Sequence, residues 1–266
     1  MTRSRTDSVL ARRFDRDGNG RRPEHLIVEE PLAIRLDDVQ VSSTMRTPGH
    51  DFELAVGFLH TEGALAGAPV QGIRYCGTGA ATESDFNVVT VETGGRAPAP
   101  TPRLGSTSSS CGLCGVEAIT ELTERLRVLA PHEPWDTDLL LGLPALLRST
   151  QPLFDATGGV HGAAAVDRTG RLVVVREDIG RHNAVDKVVG RLLLDDRLPA
   201  EDLALVVSGR GSFEMVQKAW AAGFTALVAV SAPSALAVAT ARRAGITFVG
   251  FARDGAGNLY SPTDAV

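Results

Sequence analysis

Cysteine is scarce in this chain, and long apolar runs are missing. The 266 residues contain three cysteines, Cys76, Cys111 and Cys114, which is too few and too odd a number for a disulfide framework. No apolar run approaches the roughly 20 residues that span a bilayer, and the polar N-terminus lacks the apolar region of a signal peptide. We therefore expect a cytoplasmic location without membrane association, where a Cys-x-x-Cys pair is reactive rather than structural.

An excess of positive charge is also lacking. The formal net charge is −5 and the isoelectric point is near 5.7, so we expect no general affinity for nucleic acid. The length allows one large domain or a body with a smaller lobe. The 28 glycines indicate many tight turns.

Changes in composition divide the chain into four segments. Residues 1–24 are polar and have little to bury, so they are predicted to form a flexible N-terminal arm. Residues 25–92 are predicted to form an N-terminal lobe. Residues 93–115 contain three prolines and a run of serine and threonine, which predicts a flexible linker leading into a Cys-x-x-Cys loop. Residues 116–266 are predicted to form the main α/β body.

Hydrophobic periodicity predicts the elements of the chain. Short apolar runs or alternation indicate strands at 26–28, 32–36, 39–41, 73–75, 87–91, 162–166, 172–175, 203–207, 226–230 and 247–251. Helical spacing indicates helices after Asp51 and at 116–129, 184–194, 213–222 and 234–244. Asp51 is expected to cap the first helix. The strand–helix alternation of the second half predicts a sheet that contains parallel pairs.

The pair of cysteines in Cys111-Gly-Leu-Cys114-Gly lies between the predicted linker and an amphipathic helix. The first turn of a helix carries unpaired N–H groups and a partial positive charge, which stabilise a thiolate. A thiol with a lowered pKa is a better nucleophile near neutral pH. The two glycines leave the sulfur atoms open to a partner. The pattern therefore favours a cysteine that carries a sulfane sulfur on a mobile loop.

Three other interpretations of this pair stay open. It could be a buried structural pair, which the surrounding glycines and serines disfavour. It could be a thioredoxin-type dithiol, although the motif follows a long linker instead of a strand. It could be part of a zinc site, since His60 and Glu62 with Cys111 and Cys114 mimic the spacing of zinc deaminases, although Ser110 replaces the usual proline. We expect no metal ligands. Cys76, at a strand end, is expected to be a buried or half-buried small apolar residue.

Polar motifs of the second half follow strands and precede helices. The run Glu177–Asn183 enters a helix, where Arg181, His182 and Lys187 make an anion pocket possible and Asp178 or Asn183 could instead cap the helix. His161 lies among glycines just before a strand, and further turns after strands are at 208–212, 231–234 and 251–256. Turns at the carboxyl ends of strands often line one ligand crevice. A ligand with several phosphates would suit these turns.

These motifs, in this order, resemble the formate dehydrogenase accessory sulfurtransferase family, FdhD. The matching stretches are Met45-Arg-Thr-Pro-Gly, Glu53-Leu-Ala-Val-Gly-Phe-Leu, Thr61-Glu-Gly, Ser109-Ser-Cys-Gly-Leu-Cys-Gly, Gly158-Gly-Val-His-Gly-Ala-Ala, Glu177-Asp-Ile-Gly-Arg-His-Asn-Ala-Val-Asp-Lys and Ser208-Gly-Arg-Gly-Ser-Phe-Glu-Met-Val-Gln-Lys-Ala. The combination covers about residues 28–260 and is specific, although no single piece is.

The resemblance implies a fold and partners. The fold is a cytidine-deaminase-like α/β mixed sheet flanked by helices, with a smaller N-terminal lobe and a mobile Cys-x-x-Cys loop. The implied partners are a cysteine desulfurase that donates sulfur, the catalytic subunit of a formate dehydrogenase, and a second copy in a homodimer. The implied acceptor of the sulfur is the bis-molybdopterin guanine dinucleotide molybdenum cofactor. A chaperone that binds this cofactor without transferring sulfur is the alternative.

The resemblance also implies site residues. Cys111 is the persulfide-bearing cysteine, and Cys114 is its neighbour. The cofactor-binding segment consists of Phe251, Ala252, Arg253, Asp254, Gly255 and Ala256. Asp254 and Ala256 depart from the family, where some members have proline and a basic residue. His161, His182 and Arg210 are further candidates for orienting phosphates or moving protons.

Overall fold

The N-terminal residues form an antiparallel hairpin. The computed structural model of the protein describes residues 3–15, 18–76, 81–99 and 124–262. Strand β1 (Thr6–Asp15) pairs with β2 (Gly18–Ile27) along its whole length. Residues 6–15 and 18–24 therefore have regular structure, whereas we expected a flexible arm. Cross-strand backbone bonds order this segment even though its side chains bury little, which the composition could not reveal.

A four-stranded sheet and one helix form the N-terminal lobe. The strands are β3 (Glu30–Leu36), β4 (Val39–Arg46), β5 (Gly72–Tyr75) and β6 (Val88–Glu92), in the order β4-β3-β6-β5. Only the central pair β3–β6 is parallel. Helix α1 (Asp51–Thr61) packs its apolar side chains on this sheet, where Leu54 and Leu59 join Leu32 and Ile34 in one core.

The prediction that Asp51 caps helix α1 is wrong. The N-cap residue is His50, which has a φ of 57° and no capping side-chain bond. Asp51 instead accepts two bonds from the guanidinium of Arg46, at 3.0 and 2.9 Å. Both side chains are buried, so charge pairing takes precedence over capping here.

Residues 137–261 form the larger sheet and its helices. In chain order these are α2 (Thr137–Arg148), α3 (Pro152–Thr157), β7 (His161–Asp167), β8 (Leu172–Asp178), α4 (Arg181–Leu194), β9 (Leu203–Val207), α5 (Phe213–Ala222), β10 (Ala226–Ala229), α6 (Ala235–Ala244), β11 (Thr247–Arg253) and β12 (Ala256–Ser261). The strand order is β12-β11-β10-β9-β7-β8. Strands β9, β10 and β11 are parallel, and the other pairings are antiparallel. The predicted mixed α/β class is confirmed.

Alternate residues of the central strands point to two separate cores. On one face, Leu205 and Leu227 pack against helices α4, α5 and α6. On the other face, Val206 and Val228 pack against α2 and Trp135. Both faces of these strands are covered, which explains why their sequences are continuous apolar runs.

Two predicted elements of this half differ from the structure. The predicted helix at 116–129 lies outside the described residues as far as 123, and residues 125–129 are not helical. Residues 251–256 do not join a strand to a helix, because the chain turns at Asp254–Gly255 and returns as β12. Within the described ranges, no helix has the length and apolar character needed to cross a membrane.

The lobe meets the larger sheet where helices α1 and α4 cross at two glycines. A Cβ atom added to Gly57 would lie 1.8 Å from the carbonyl oxygen of Asp186. One added to Gly190 would lie 1.8 Å from the carbonyl oxygen of Glu53. The two backbones are in contact, and only glycine permits this approach.

Buried charges also join the lobe to the body. The ammonium of Lys187 lies 2.6 Å from Asp178 and donates to the carbonyl of Thr47 at 2.9 Å. Lys218 lies 2.9 Å from both carboxylate oxygens of Asp186 and donates to the hydroxyl of Thr61. All four charged side chains are buried, so each depends on its partner for compensation.

Candidate functional site

Two loops that follow strands β9 and β10 meet a residue of the neighbouring strand β11. The backbone N–H of Ser231 donates to Gly209 at 3.1 Å, and that of Ser234 donates to Gly211 at 3.2 Å. The N–H of Phe251 donates to Ser231 at 3.1 Å. We call the loops 208–212 and 231–234, together with Phe251, the rim. The structure therefore brings these turns together at one edge of the sheet, as the sequence predicted.

His161 extends the rim onto strand β7. The neighbouring Gly162 donates its N–H to the hydroxyl of Ser208 at 2.9 Å and accepts from the N–H of Ser208 at 3.0 Å. A Cβ added to Gly209 would lie 3.7 Å from Nδ1 of His161. Burial and then the positive charge of Arg181 lower the pKa of His161. Its imidazole is therefore neutral near pH 7 and can accept a proton.

The start of helix α4 faces the same loops. Its N-cap residue is Gly180, which has no side chain to cap the helix. Of the two residues considered as caps, Asp178 accepts from the N–H of Gly180 at 2.8 Å, and Asn183 bonds elsewhere. Asp178 pairs with Lys187, and Asn183 donates to the carbonyl of Met45 at 2.8 Å. Helix α5 begins at Ser212, whose side chain makes no capping bond, but the Glu214 carboxylate in its first turn is hydrogen-bonded to the backbone N–H of the same residue.

Lys187 is not part of an anion pocket, contrary to our expectation. It is fully buried and neutralised by Asp178. Glu177 is also committed, since its carboxylate accepts from the N–H groups of Leu153 and Phe154 at the start of α3. The basic side chain that this motif leaves for a ligand is that of Arg181.

The imidazole of His182 is neutral near pH 7 although charged side chains surround it. Burial, followed by the positive charges of Lys218 and Arg181, lowers the pKa of His182 to about 4, and Glu214 opposes the shift. Its Nε2 atom is buried without a hydrogen-bond partner among the described residues. Glu214 and Lys218 were not predicted from the sequence as site residues, although both lie within the matching stretch that begins at Ser208. Their place in that stretch is the only signal in the sequence that pointed to them.

Arg210 and the segment 251–256 differ in exposure. Arg210 is exposed on the rim, as a phosphate ligand must be. Phe251, Arg253, Asp254, Gly255 and Ala256 are also exposed, whereas Ala252 is buried in the core under α2. The side chain of Ala252 therefore cannot contact a ligand from this position. Binding by the segment as a whole stays a prediction.

Cys111 and Cys114 lie outside the described residues, and their catalytic roles stay predictions. Cys76 is half-buried at the end of β5, as expected. Its sulfur lies 2.5 Å from Nη1 of Arg74.

The two side chains whose spacing mimics a zinc deaminase have other partners. Nε2 of His60 bonds to the carbonyl of Ala221 at 3.1 Å. The carboxylate of Glu62 lies 3.3 Å from Lys218. Across the described ranges, no three histidine, cysteine or carboxylate residues are grouped to hold a metal ion.

Comparison with known families assigns the chain. The sequence model of the FdhD/NarQ family matches residues 27–266. The chain belongs to this family. The match contains every motif that carried the resemblance, and it leaves out most of the N-terminal hairpin.

Individual relatives support the assignment over most of their length. A protein of Mycolicibacterium paratuberculosis named sulfur carrier protein FdhD is 47% identical over 252 residues, covering 92% of this chain and 93% of its own. A protein of Streptomyces coelicolor with the same name is 48% identical over 253 residues, covering 92% and 90%. The crystal structure of a protein described as a formate dehydrogenase accessory protein, from Desulfotalea psychrophila, is 27% identical with a TM-score of 0.78 and covers 97% of both chains.

Proposed function

We propose that this protein is a sulfurtransferase that supplies sulfur to a molybdenum cofactor for formate dehydrogenase. It accepts sulfane sulfur from a cysteine desulfurase as a persulfide on Cys111 and transfers it to bis-molybdopterin guanine dinucleotide. The observation that carries this proposal is the family match over residues 27–266, with relatives named sulfur carrier proteins. We further propose a cytoplasmic homodimer with a cytidine-deaminase-like body.

The first step is a thiol–persulfide exchange. The Cys111 thiolate attacks the terminal sulfur of the desulfurase persulfide, the S–S bond of that persulfide breaks, and the desulfurase cysteine leaves as a thiolate. Cys111 then holds the terminal sulfur, and no external oxidant or reductant is needed. Cys114 lies three residues further along and is proposed to shelter or resolve the persulfide.

The rim suits the phosphate groups of the acceptor. Helix α4 begins there at Gly180, which has no capping side chain, so the N–H groups of its first turn can bind oxygen atoms. Arg181, at this helix start, and Arg210, on the rim, add positive charge. We propose that the rim orients the nucleotide end of the cofactor, and that neutral His161 accepts a proton from the incoming thiol or persulfide.

Intact-mass measurement after incubation with a cysteine desulfurase and cysteine tests the first step. The wild-type protein should gain one sulfur atom that a reductant removes, and Cys111→Ala should gain none. Cys76→Ala is the matched control, because Cys76 is half-buried on β5 and should leave loading unchanged. Full loading of Cys111→Ala would overturn the assignment of the carrier.

Binding of guanosine diphosphate, the nucleotide part of the acceptor, tests the rim. Arg210→Ala should weaken binding by about ten- to a hundredfold, since a charge-assisted hydrogen bond contributes about 1.5–3 kcal/mol. Arg197→Ala removes an exposed arginine after helix α4, away from the rim, and should bind as the wild type does. Equal affinities for both variants would contradict the proposed role of Arg210.

The chaperone alternative is tested by removing both cysteines of the loop. A Cys111→Ala/Cys114→Ala protein retains the rim and should bind the nucleotide normally. If this variant also restores full formate dehydrogenase activity in cells that lack the protein, the protein acts by binding the cofactor and not by transferring sulfur.

A further inference from the structure

The N-terminal hairpin, residues 6–15 and 18–27, exposes apolar side chains. None of the side chains described on β1 and β2 is buried. Leu10 and Phe14, on one face, are 65% and 73% exposed, and Leu26, on the other face, is 48% exposed. Single exposed apolar residues are ordinary, but several on one ribbon mark a contact surface.

The hairpin is fixed to the rest of the molecule only near its root, within the part of the chain that the structure describes. The N–H of Val28 donates to the carbonyl of Arg5 at 2.9 Å, and Arg5 donates to the carbonyl of Glu177 at 3.5 Å. Ile27 lies against Gly159, close to helix α3. A two-stranded hairpin without further packing is marginally stable in water. The far half therefore needs another surface.

The charge of the hairpin region is opposite to that of the remaining chain. Residues 1–27 contain seven arginines and four carboxylates, a net charge of +3. Residues 28–266 contain 20 basic and 28 acidic residues, a net charge of −8. A second copy of the chain therefore offers the hairpin a surface of complementary sign.

The positions of two arginines distinguish between ways of pairing two copies. Arg12 lies directly opposite Arg21 across the strands, so both side chains are on one face. Arg12 stacks 5.2 Å above the ring of Phe14, and neither arginine forms an ion pair with another described residue. Two such faces would repel each other, which disfavours pairing of one hairpin with another. An acidic surface would instead relieve the repulsion.

We propose that the N-terminal hairpin is a docking arm that binds the acidic body of a second copy of this chain. The inference specifies the contact made in the homodimer proposed above, and it concerns residues that lie almost entirely before the family match, which begins at residue 27. The chain's own residues 100–123 are a poorer occupant, because they carry one basic and two acidic residues.

Sedimentation equilibrium of the full-length protein tests the arm. The wild type should be a dimer at about 0.1 M salt, and its dissociation constant should rise about tenfold at about 1 M salt. Arg12→Glu/Arg21→Glu should weaken the dimer about tenfold or more at low salt. This variant keeps two like charges opposite each other, so the balance within the hairpin is preserved while its sign is reversed.

A matched variant controls for net charge. Arg96→Glu/Arg197→Glu makes the same change of charge at two exposed positions outside the hairpin and should dimerise as the wild type does. Equal dissociation constants for the two variants would overturn the docking arm but not the homodimer. A wild type that is monomeric at every salt concentration would overturn both the docking arm and the homodimer. This holds also if slow hydrogen exchange in the hairpin of the monomer shows that residues 100–123 cover the hairpin. Sulfur loading on the same samples tests the transfer function separately.

Discussion

Lys187 and Asp178 form an ion pair that is entirely removed from solvent, and this burial determines what each residue can do. The two side chains are fully buried, with 2.6 Å between the ammonium and the carboxylate. Removing one charge from such a pair leaves the other without compensation. Asp178→Asn preserves the shape of the side chain and should lower the free energy of unfolding by about 3–5 kcal/mol, measured by urea denaturation.

The control for this prediction is an exposed ion pair on the same helix. Arg191 pairs with Asp195 at 2.8 Å in an i,i+4 arrangement on the surface of α4. Arg191→Ala should lower the free energy of unfolding by less than about 1 kcal/mol. A similar loss in both variants would show that burial of the Lys187–Asp178 pair is not what makes it important.

His182 should make the stability depend on pH. Burial and neighbouring positive charges lower the pKa of His182 in the folded protein to about 4, from 6.5. Between pH 6.5 and pH 4 the unfolded chain therefore binds more protons, so the stabilising contribution is present above pH 6.5 and is lost as the pH falls towards 4. His182→Gln should reduce this loss. Urea denaturation of both proteins at pH 7, 5.5 and 4.5 measures it, and parallel curves would contradict the shift.

At the scale of elements, the crossing of α1 and α4 depends on two glycines. A Cβ at Gly190 would lie 1.8 Å from the carbonyl oxygen of Glu53, so the helices would have to move apart. Gly190→Ala should destabilise the protein by about 3 kcal/mol or more, measured as a change in the denaturation midpoint.

Gly142 provides the matched comparison for this prediction. It lies on the exposed side of α2 with nothing within 4 Å of an added Cβ. Gly142→Ala should stabilise the protein by about 0.5–1 kcal/mol, because alanine loses less backbone entropy in a helix. Loss of stability in this variant would mean that substitution of glycine in any helix is harmful, and that the crossing has no special role.

The elements that the sequence predicted are those with one strong periodicity. Strand 203–207 and helix 213–222 have the predicted bounds, because each is an uninterrupted apolar run or stripe. Helix α2 was not predicted, since Pro144 interrupts its pattern, although Asp136 caps it as the rules require. Strand β12 was not predicted, because most of its side chains are exposed and no apolar alternation marks it.

The motifs of the candidate site were predictable, but which of their side chains remain available to a ligand was not. The order of motifs indicated the family, and the strand–turn–helix pattern placed loop 208–212 at the edge of the sheet. The burial of Lys187 was not predictable, because its partners Thr47 and Asp178 come from different parts of the chain. Composition and spacing report which groups are present, whereas pairing over such separations decides which of them remain available to a ligand.

At the scale of the whole molecule, the lobe and the body share their polar groups. Arg176 on β8 donates to both carboxylate oxygens of Glu53 on α1, and Lys218 on α5 donates to Thr61. Opening of the lobe would separate these partners and expose the glycine crossing. The free energy of such an opening should therefore approach that of global unfolding, although the two sheets are separate.

Native-state hydrogen exchange at increasing denaturant should consequently show one cooperative unit and one exception. Amides of β3 and β9, in the two sheets, should become exchangeable with the same dependence on denaturant, because neither sheet can open while the polar contacts between them hold. Amides of the N-terminal hairpin should exchange earlier in dilute protein, since no side chain described there is buried. At concentrations where the chain dimerises they should become protected. Exchange of β3 at lower denaturant than β9 would instead show that the lobe opens independently, and that the contacts around Glu53 and Thr61 do not couple it to the body.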